Sequence, residues 1–232
     1  MDPNQAAARE PLKTVEEAAR AIEHVLLDPA LTSERVAAAV TAARRRGLAA
    51  VLVRPCDVDL AVRLLEGSAV KVGSAAGFPY GIANTAVKLY EARDLLRRGA
   101  REIDLAINRA QLLSREFQSV QTELAQMAET CRKEGARLTV TLEVACLTKE
   151  LAIVACECCE RADAHAVKTG FGLAAPDPPD ALALLRESLP DDIAIAPAPA
   201  ATREALQAAW AFGCDRIGAF DPEALLAGWA VD

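Results

Sequence analysis

Glu102-Ile103-Asp104-Leu105-Ala106-Ile107-Asn108 is the stretch that decides the architecture. Ile103, Leu105 and Ile107 share one parity, while Glu102, Asp104 and Asn108 share the other. Leu138-Thr139-Val140-Thr141-Leu142-Glu143-Val144 repeats the pattern. Successive side chains of a strand point to opposite faces, so each run has one apolar and one polar face. An open α/β sheet covered by helices on both sides needs both parities apolar. A closed barrel needs an apolar face toward its helices, and an enzyme's barrel can line its lumen with polar groups. Asp104, Thr139, Thr141 and Glu143 are therefore expected to point inward, together with Lys168.

The rest of the chain alternates in the same way. Short β-like runs are read at Val25–Leu27, Ala49–Val53, Val70–Ala76, Glu102–Ile107, Leu138–Val144, Ala164–Lys168, Ile193–Pro197 and Arg216–Ala219. Alanine- and leucine-rich stretches of helical period separate them, among them Thr32–Arg46, Thr85–Arg98, Ala110–Glu134, Lys149–Glu160 and Pro178–Ser188, and Pro222–Ala230 closes the chain. Eight strands alternating with helices of this length predict a (β/α)8 TIM barrel. An extra helix, Val15–Glu23, is expected before the first strand. Residues 1–13 read as a flexible tail and 14–232 as one domain. A doubly wound open sheet is the alternative, but no Gly-x-Gly-x-x-Gly turn follows the first strand.

Ala164-His165-Ala166-Val167-Lys168 is an apolar run ending in a lysine, and Thr169-Gly170-Phe171-Gly172 follows at once. Burial penalises an ammonium, so the Lys168 amine is expected to be driven toward its neutral, nucleophilic form. Neutral lysine amines attack carbonyl carbons to form Schiff bases.

Bulk properties narrow the field. The chain has 232 residues, 52% of them hydrophobic, and a net charge of −7, which fits a soluble globular protein and disfavours nucleic acid as a partner. No apolar run reaches spanning length, so no membrane partner is expected. The first ten residues lack the charged and apolar regions of a secretory signal, and the odd count of seven cysteines suits a reducing cytoplasm. Arg44-Arg45-Arg46 reads as a solvated helix end. Cys156, Cys158 and Cys159 read as packing cysteines, because no second Cys/His group stands at a ligand spacing; neither metal nor cofactor is expected.

From about Ala21 to Ala219 the chain resembles the short, bacterial-type 2-deoxyribose-5-phosphate aldolases. The matching pieces are Ala21-Ile22-Glu23-His24, Arg54-Pro55-Cys56, Gly77-Phe78-Pro79-Tyr80-Gly81, Glu102 to Asn108, Ala164 to Thr169 and Asp215-Arg216-Ile217-Gly218. The resemblance implies a TIM barrel, a metal-independent class I (Schiff-base) aldolase, and a homodimer. It implies Lys168 as the Schiff-base lysine and Asp104 as the aspartate that works with a bound water in proton transfer. Glu23 stands where the family usually has an aspartate near the site. The lining of the substrate pocket is expected from Arg54, Asn108, Thr139, Thr141, Glu143, Thr169, Gly170, Phe171 and Phe220.

The departures are specific. Ala196 replaces a second lysine of the family on strand seven, and Thr139 replaces another on strand five. The family's glycine-rich phosphate turns become Thr169-Gly170-Phe171-Gly172, Pro199-Ala200 and Gly218-Ala219-Phe220-Asp221. Proline and alanine do not offer bare backbone amides to a phosphate, and Asp221 repels a dianion. Arg203 lies one residue from the family's arginine position. The expected substrate is therefore a small-molecule carbonyl compound, larger and more apolar than the family's and unphosphorylated. Two other readings stay open: a catalytically silent barrel that binds a small molecule or a partner, and a cyclase or isomerase without covalent capture.

Overall fold

The computed structural model describes residues 9–173, 175–227 and 229. Helix α1 (Val15–Ala21) opens on a capping box in which Thr14 and Glu17 satisfy each other's backbone N–H groups. It runs directly into strand β1 (Ile22–Leu26). There follow α2 (Ser33–Arg46), β2 (Ala50–Val53), α3 (Val58–Leu64), β3 (Lys71–Ala76), α4 (Thr85–Arg97) and β4 (Glu102–Ala106). The second half comprises α5 (Arg109–Leu113), α6 (Phe117–Lys133), β5 (Arg137–Thr141), α7 (Lys149–Arg161) and β6 (Ala166–Lys168). It ends with α8 (Ala181–Ser188), β7 (Ala194–Ala196), α9 (Arg203–Ala211), β8 (Ile217–Ala219) and α10 (Pro222–Ala227).

All eight strands are parallel, in the order β7-β6-β5-β4-β3-β2-β1-β8. The sheet curls into a (β/α)8 barrel. Among the described residues no regular ladder joins β7 to β8; the Ala200 N–H donates to the Gly218 carbonyl at 2.7 Å beside that seam.

Two apolar clusters follow from the parity of the strands. The larger packs the outward faces, including Ile103, Leu105, Ile107, Leu138 and Val140, against the helices. The smaller holds Val25, Leu27, Leu52, Ala75, Ala106 and Phe171, with Phe78 against it. The alternation read from Glu102–Asn108 thus sorts residues onto the outer and inner faces.

The structure departs from the sequence reading at several boundaries. The stretch 110–134 is two helices, because Arg115 takes a left-handed φ of 60° between α5 and α6. Strand β5 stops at Thr141, and Glu143, expected on the inward strand face, has φ 56° and leads into a 3₁₀ turn over Val144–Cys146. The first strand starts at Ile22, so the expected helix over 15–23 ends two residues early. Part of the expected 222–230 helix and most of the 1–13 tail lie outside the described residues. Arg45 and Arg46 close α2 and pair with Glu223. Cys156, Cys158 and Cys159 are buried in α7, where burial pushes the Cys156 thiol up to about 12.

Candidate active site

Lys168 ends β6, and the β5–β6 register sets it beside Thr141. Asp104 sits mid-β4 beside Thr139, and Glu23 lies on β1 beside Gly218 of β8. Three strands spread around the ring thus aim one amine and two carboxylates at a common point. Lys168 Nζ donates to Asp104 Oδ2 at 2.6 Å and to Glu23 Oε2 at 2.9 Å. The Thr141 hydroxyl donates to the other oxygen of Asp104. All of these residues are buried, and Lys168 is only 5% exposed.

The electrostatics correct one expectation. Burial alone would push the Lys168 amine down, but Asp104 and Glu23 outweigh it and hold the pKa above the ordinary lysine range. The resting amine is an ammonium. Lys88 supplies an internal comparison. Its Nζ donates to Glu123 at 2.7 Å and to the Ala106 carbonyl at 2.9 Å, and burial outweighs the one paired carboxylate, so its pKa falls. One direct ion pair, with Glu91 acting from further off, loses to desolvation, and two direct ion pairs win.

The two carboxylates around Lys168 are driven apart. For Glu23, burial is outweighed by Lys168, Arg216 and Arg137, and the group is held below its ordinary value. For Asp104, burial together with the negative charge of Glu23 outweighs Lys168, and the group is raised. Pairs of carboxyls separated in this way mark a division between counterion and proton carrier. Beneath them Arg216 pairs with Glu102, so the lumen holds alternating charges below the site. Arg137 escaped the sequence reading, and Arg216 entered it only within a matching motif, because Arg137 opens β5 and Arg216 directly precedes β8, away from the ends where the site lies.

The remaining expected site residues are mostly given other partners. Thr139 lies beside Asp104 on the lumen face. Arg54, expected to reach a substrate oxygen, donates to Asp57 at 2.7 Å and to the carbonyls of Asp28 and Pro29, which holds it at the rim. Asn108 caps α5 by accepting from the Gln111 N–H at 3.2 Å. Glu143, expected in the pocket lining, accepts from the Phe171 N–H at 2.7 Å and anchors the loop after β6. A Cβ on Gly170 would touch the same carboxylate at 3.4 Å. Phe220 is exposed at the rim, near Gly172.

Thr169 is committed as well. Its hydroxyl donates to Asp177 and accepts from the Ala198 N–H at 2.7 Å, and Asp177 Oδ2 accepts from that same N–H at 3.3 Å. The mouth between β6 and β7 therefore already holds an anion, supplied by the chain itself.

Known proteins resemble this chain along most of its length. The chain is 33% identical over 210 residues to a deoxyribose-phosphate aldolase of Treponema denticola, covering 89% of this chain and 97% of that one. The chain belongs to the deoxyribose-phosphate aldolase family. The family consists of carbon–carbon lyases. A Clostridium perfringens deoxyribose-phosphate aldolase is 32% identical over 217 residues, covering 92% and 96% of the two chains. The tetrameric deoxyribose phosphate aldolase structure from Aeropyrum pernix superimposes with a TM-score of 0.85 at 26% identity, covering 95% of this chain and 94% of that one. No family model matches the chain. Among the described residues no helix is long and apolar enough to cross a membrane, and no three His, Cys, Asp or Glu side chains are grouped as a metal site requires.

Proposed function

We propose that this family member is a Schiff-base aldolase in which Lys168 is the nucleophile, Asp104 the proton carrier and Glu23 the fixed counterion. The observation that carries this reading is the position of Lys168 Nζ between Asp104 and Glu23 inside the lumen. In the first step the ammonium gives a proton to Asp104, the carboxylate with the raised pKa, at 2.6 Å. The freed amine attacks the substrate carbonyl carbon, and Asp104 gives its proton to the carbonyl oxygen and takes one back from the nitrogen, leaving a neutral carbinolamine and a protonated Asp104. Loss of hydroxide as water, assisted by a further proton, gives an iminium. Asp104, ionised again, takes the proton of the β-hydroxyl, the carbon–carbon bond breaks with its electron pair passing into the enamine, and an aldehyde departs; Asp104 then protonates the enamine carbon, and water hydrolyses the resulting iminium to release the second carbonyl product and the amine. Throughout, Glu23 stabilises the positive nitrogen of the iminium.

The substrate in this proposal is an unphosphorylated, more apolar carbonyl compound. Asp177 supports that choice, because its carboxylate takes up the Ala198 N–H and the Thr169 hydroxyl that a phosphate oxygen would need. Pro199 and Phe220 crowd Gly172 on the same side, adding apolar surface and no donor. One observation favours a silent barrel instead: the amine is both ion-paired and almost fully covered.

A single experiment separates the readings. The protein is incubated with a set of aldehydes and ketones, reduced with borohydride and mapped by peptide mass. The expected result is a mass increment on Lys168 that a Lys168→Ala variant lacks. Absence of any adduct at Lys168 overturns the covalent reading and leaves the silent barrel.

A further inference from the structure

Phe171 belongs to the loop after β6, yet its ring packs on the far side of the barrel. Its backbone N–H is fixed by Glu143, just past β5. Its side chain clusters with Val25, Leu27, Leu52, Ala75 and Ala106, which follow the inward parity of β1, β2, β3 and β4. The Phe78 ring meets it edge-on, with centroids 5.0 Å apart. Val25 stands two residues beyond Glu23, and Ala106 two beyond Asp104, so these contacts form the layer directly above the carboxylates. The ring therefore crosses the mouth over Lys168, and Phe171 is itself only 2% exposed.

We infer that Phe171 is a displaceable, specificity-determining residue whose ring holds the place of an apolar, ring-sized group on the substrate. The inference rests on the Schiff-base reading of Lys168 and names the substrate class for it: carbonyl compounds carrying an aryl or similarly bulky apolar group. Any carbonyl that reaches Nζ must first move the ring out of its apolar chamber. A small or charged aldehyde leaves that chamber unfilled and bears the whole penalty of exposing a phenyl group, on the order of 10- to 100-fold in adduct formation. A substrate with a phenyl or branched alkyl group refills the chamber and recovers most of it. Gly170 and Gly172 flank the ring. Gly172 has φ 77°, in the region that favours glycine.

The test has two arms. In the first, Ala196→Cys places a reporter thiol on β7 beside Lys168, where Ala196 is 7% exposed. Its reaction with methyl methanethiosulfonate is followed by peptide mass, because Cys56 and Cys146 are exposed and react independently. Adding Phe171→Ala, or the milder Phe171→Leu if the first fails to fold, is expected to speed labelling at position 196 by about 10-fold or more. Equal rates with and without the change at 171 overturn the gate. In the second arm, borohydride trapping at Lys168 compares phenylacetaldehyde with acetaldehyde, each normalised to its reaction with a free amine. The wild type is expected to favour phenylacetaldehyde by at least about 10-fold, and the Phe171 variants to lose that preference by admitting acetaldehyde. Equal trapping of the two aldehydes by the wild type overturns the substrate class. If labelling at position 196 accelerates while no aldehyde traps Lys168 in any variant, the gate stands and the Schiff-base reading falls with the substrate class.

Discussion

Replacing Glu23 by Gln tests the charge balance on which the chemistry depends. The carboxylate lies 2.9 Å from Lys168 Nζ, which at an effective dielectric constant of about 20 is a gross attraction of about 6 kcal/mol. The net effect is smaller. Arg216 and Arg137 share the charge of Glu23, and the carbonyl oxygen of Gln still accepts from the amine. A close opposite charge typically moves a pKa by about 1–3 units, so the variant should carry roughly 10- to 1000-fold more neutral amine at neutral pH. Lys88, directly paired with Glu123 alone and with its pKa lowered although Glu91 also acts on it, shows within this molecule the direction in which a buried lysine with a single direct ion pair moves.

The assay is borohydride trapping of one aldehyde on Lys168, followed from neutral to alkaline pH in both proteins. Lys168 has a folded pKa above its unfolded value. Its contribution to stability is therefore fully present below the unfolded pKa of about 10.4 and is lost as pH rises through the folded value. Glu23, with its pKa lowered, contributes above its unfolded value of about 4.3, a contribution lost as pH falls through the folded one. In Glu23→Gln the trapping midpoint should move to lower pH, and the alkaline loss of stability should become shallower. A midpoint that stays or moves upward refutes the claim that two carboxylates hold the amine charged.

Other outcomes follow from the same geometry. Ala196→Lys puts a cation beside Lys168 in register, and like charge should move the trapping midpoint to lower pH, read as above. Asp177→Asn removes the resident charge from the Ala198 N–H and the Thr169 hydroxyl; inorganic phosphate, without effect on the wild type, should then slow trapping, as a phosphate titration would reveal. Lys88→Met strands the buried Glu123 carboxylate and should cost about 3–5 kcal/mol in denaturant unfolding, whereas the exposed Arg115–Glu150 pair should contribute less than about 1 kcal/mol.

The barrel was legible because strand parity is a direct record of which face meets the helices. Glu102–Asn108 and Leu138–Thr141 alternate as the outer and inner faces require. The Lys168–Asp104 pair was legible through motif order. Its charge state was not, since residue order carries no distance from Lys168 to Glu23, and the sign of a buried lysine's shift depends on how many acids pair with it directly. Arg54, Asn108 and Thr169 stand at the right strand ends, but short-range partners in their own loops take up their donors and acceptors. The break at Arg115 was hidden because the flanking segments 110–113 and 117–133 keep a helical apolar period on either side. Phe171 was read as a pocket wall, whereas packing across the lumen makes it a cover, a long-range contact that local pattern does not encode.

The seam between β7 and β8 carries one more consequence. Among the described residues seven ladders hold the ring, and the eighth side carries the Ala200–Gly218 hydrogen bond in place of a ladder. Among the described residues the three-residue strand β7 has a ladder along one edge alone, so its loss leaves the other six ladders intact. Amide exchange at Ile195 and Ala196 should therefore outpace that at Ile103 and Leu105. Because β7 flanks Lys168 directly, exchange at Ala196 reports how firmly the wall beside that amine is held.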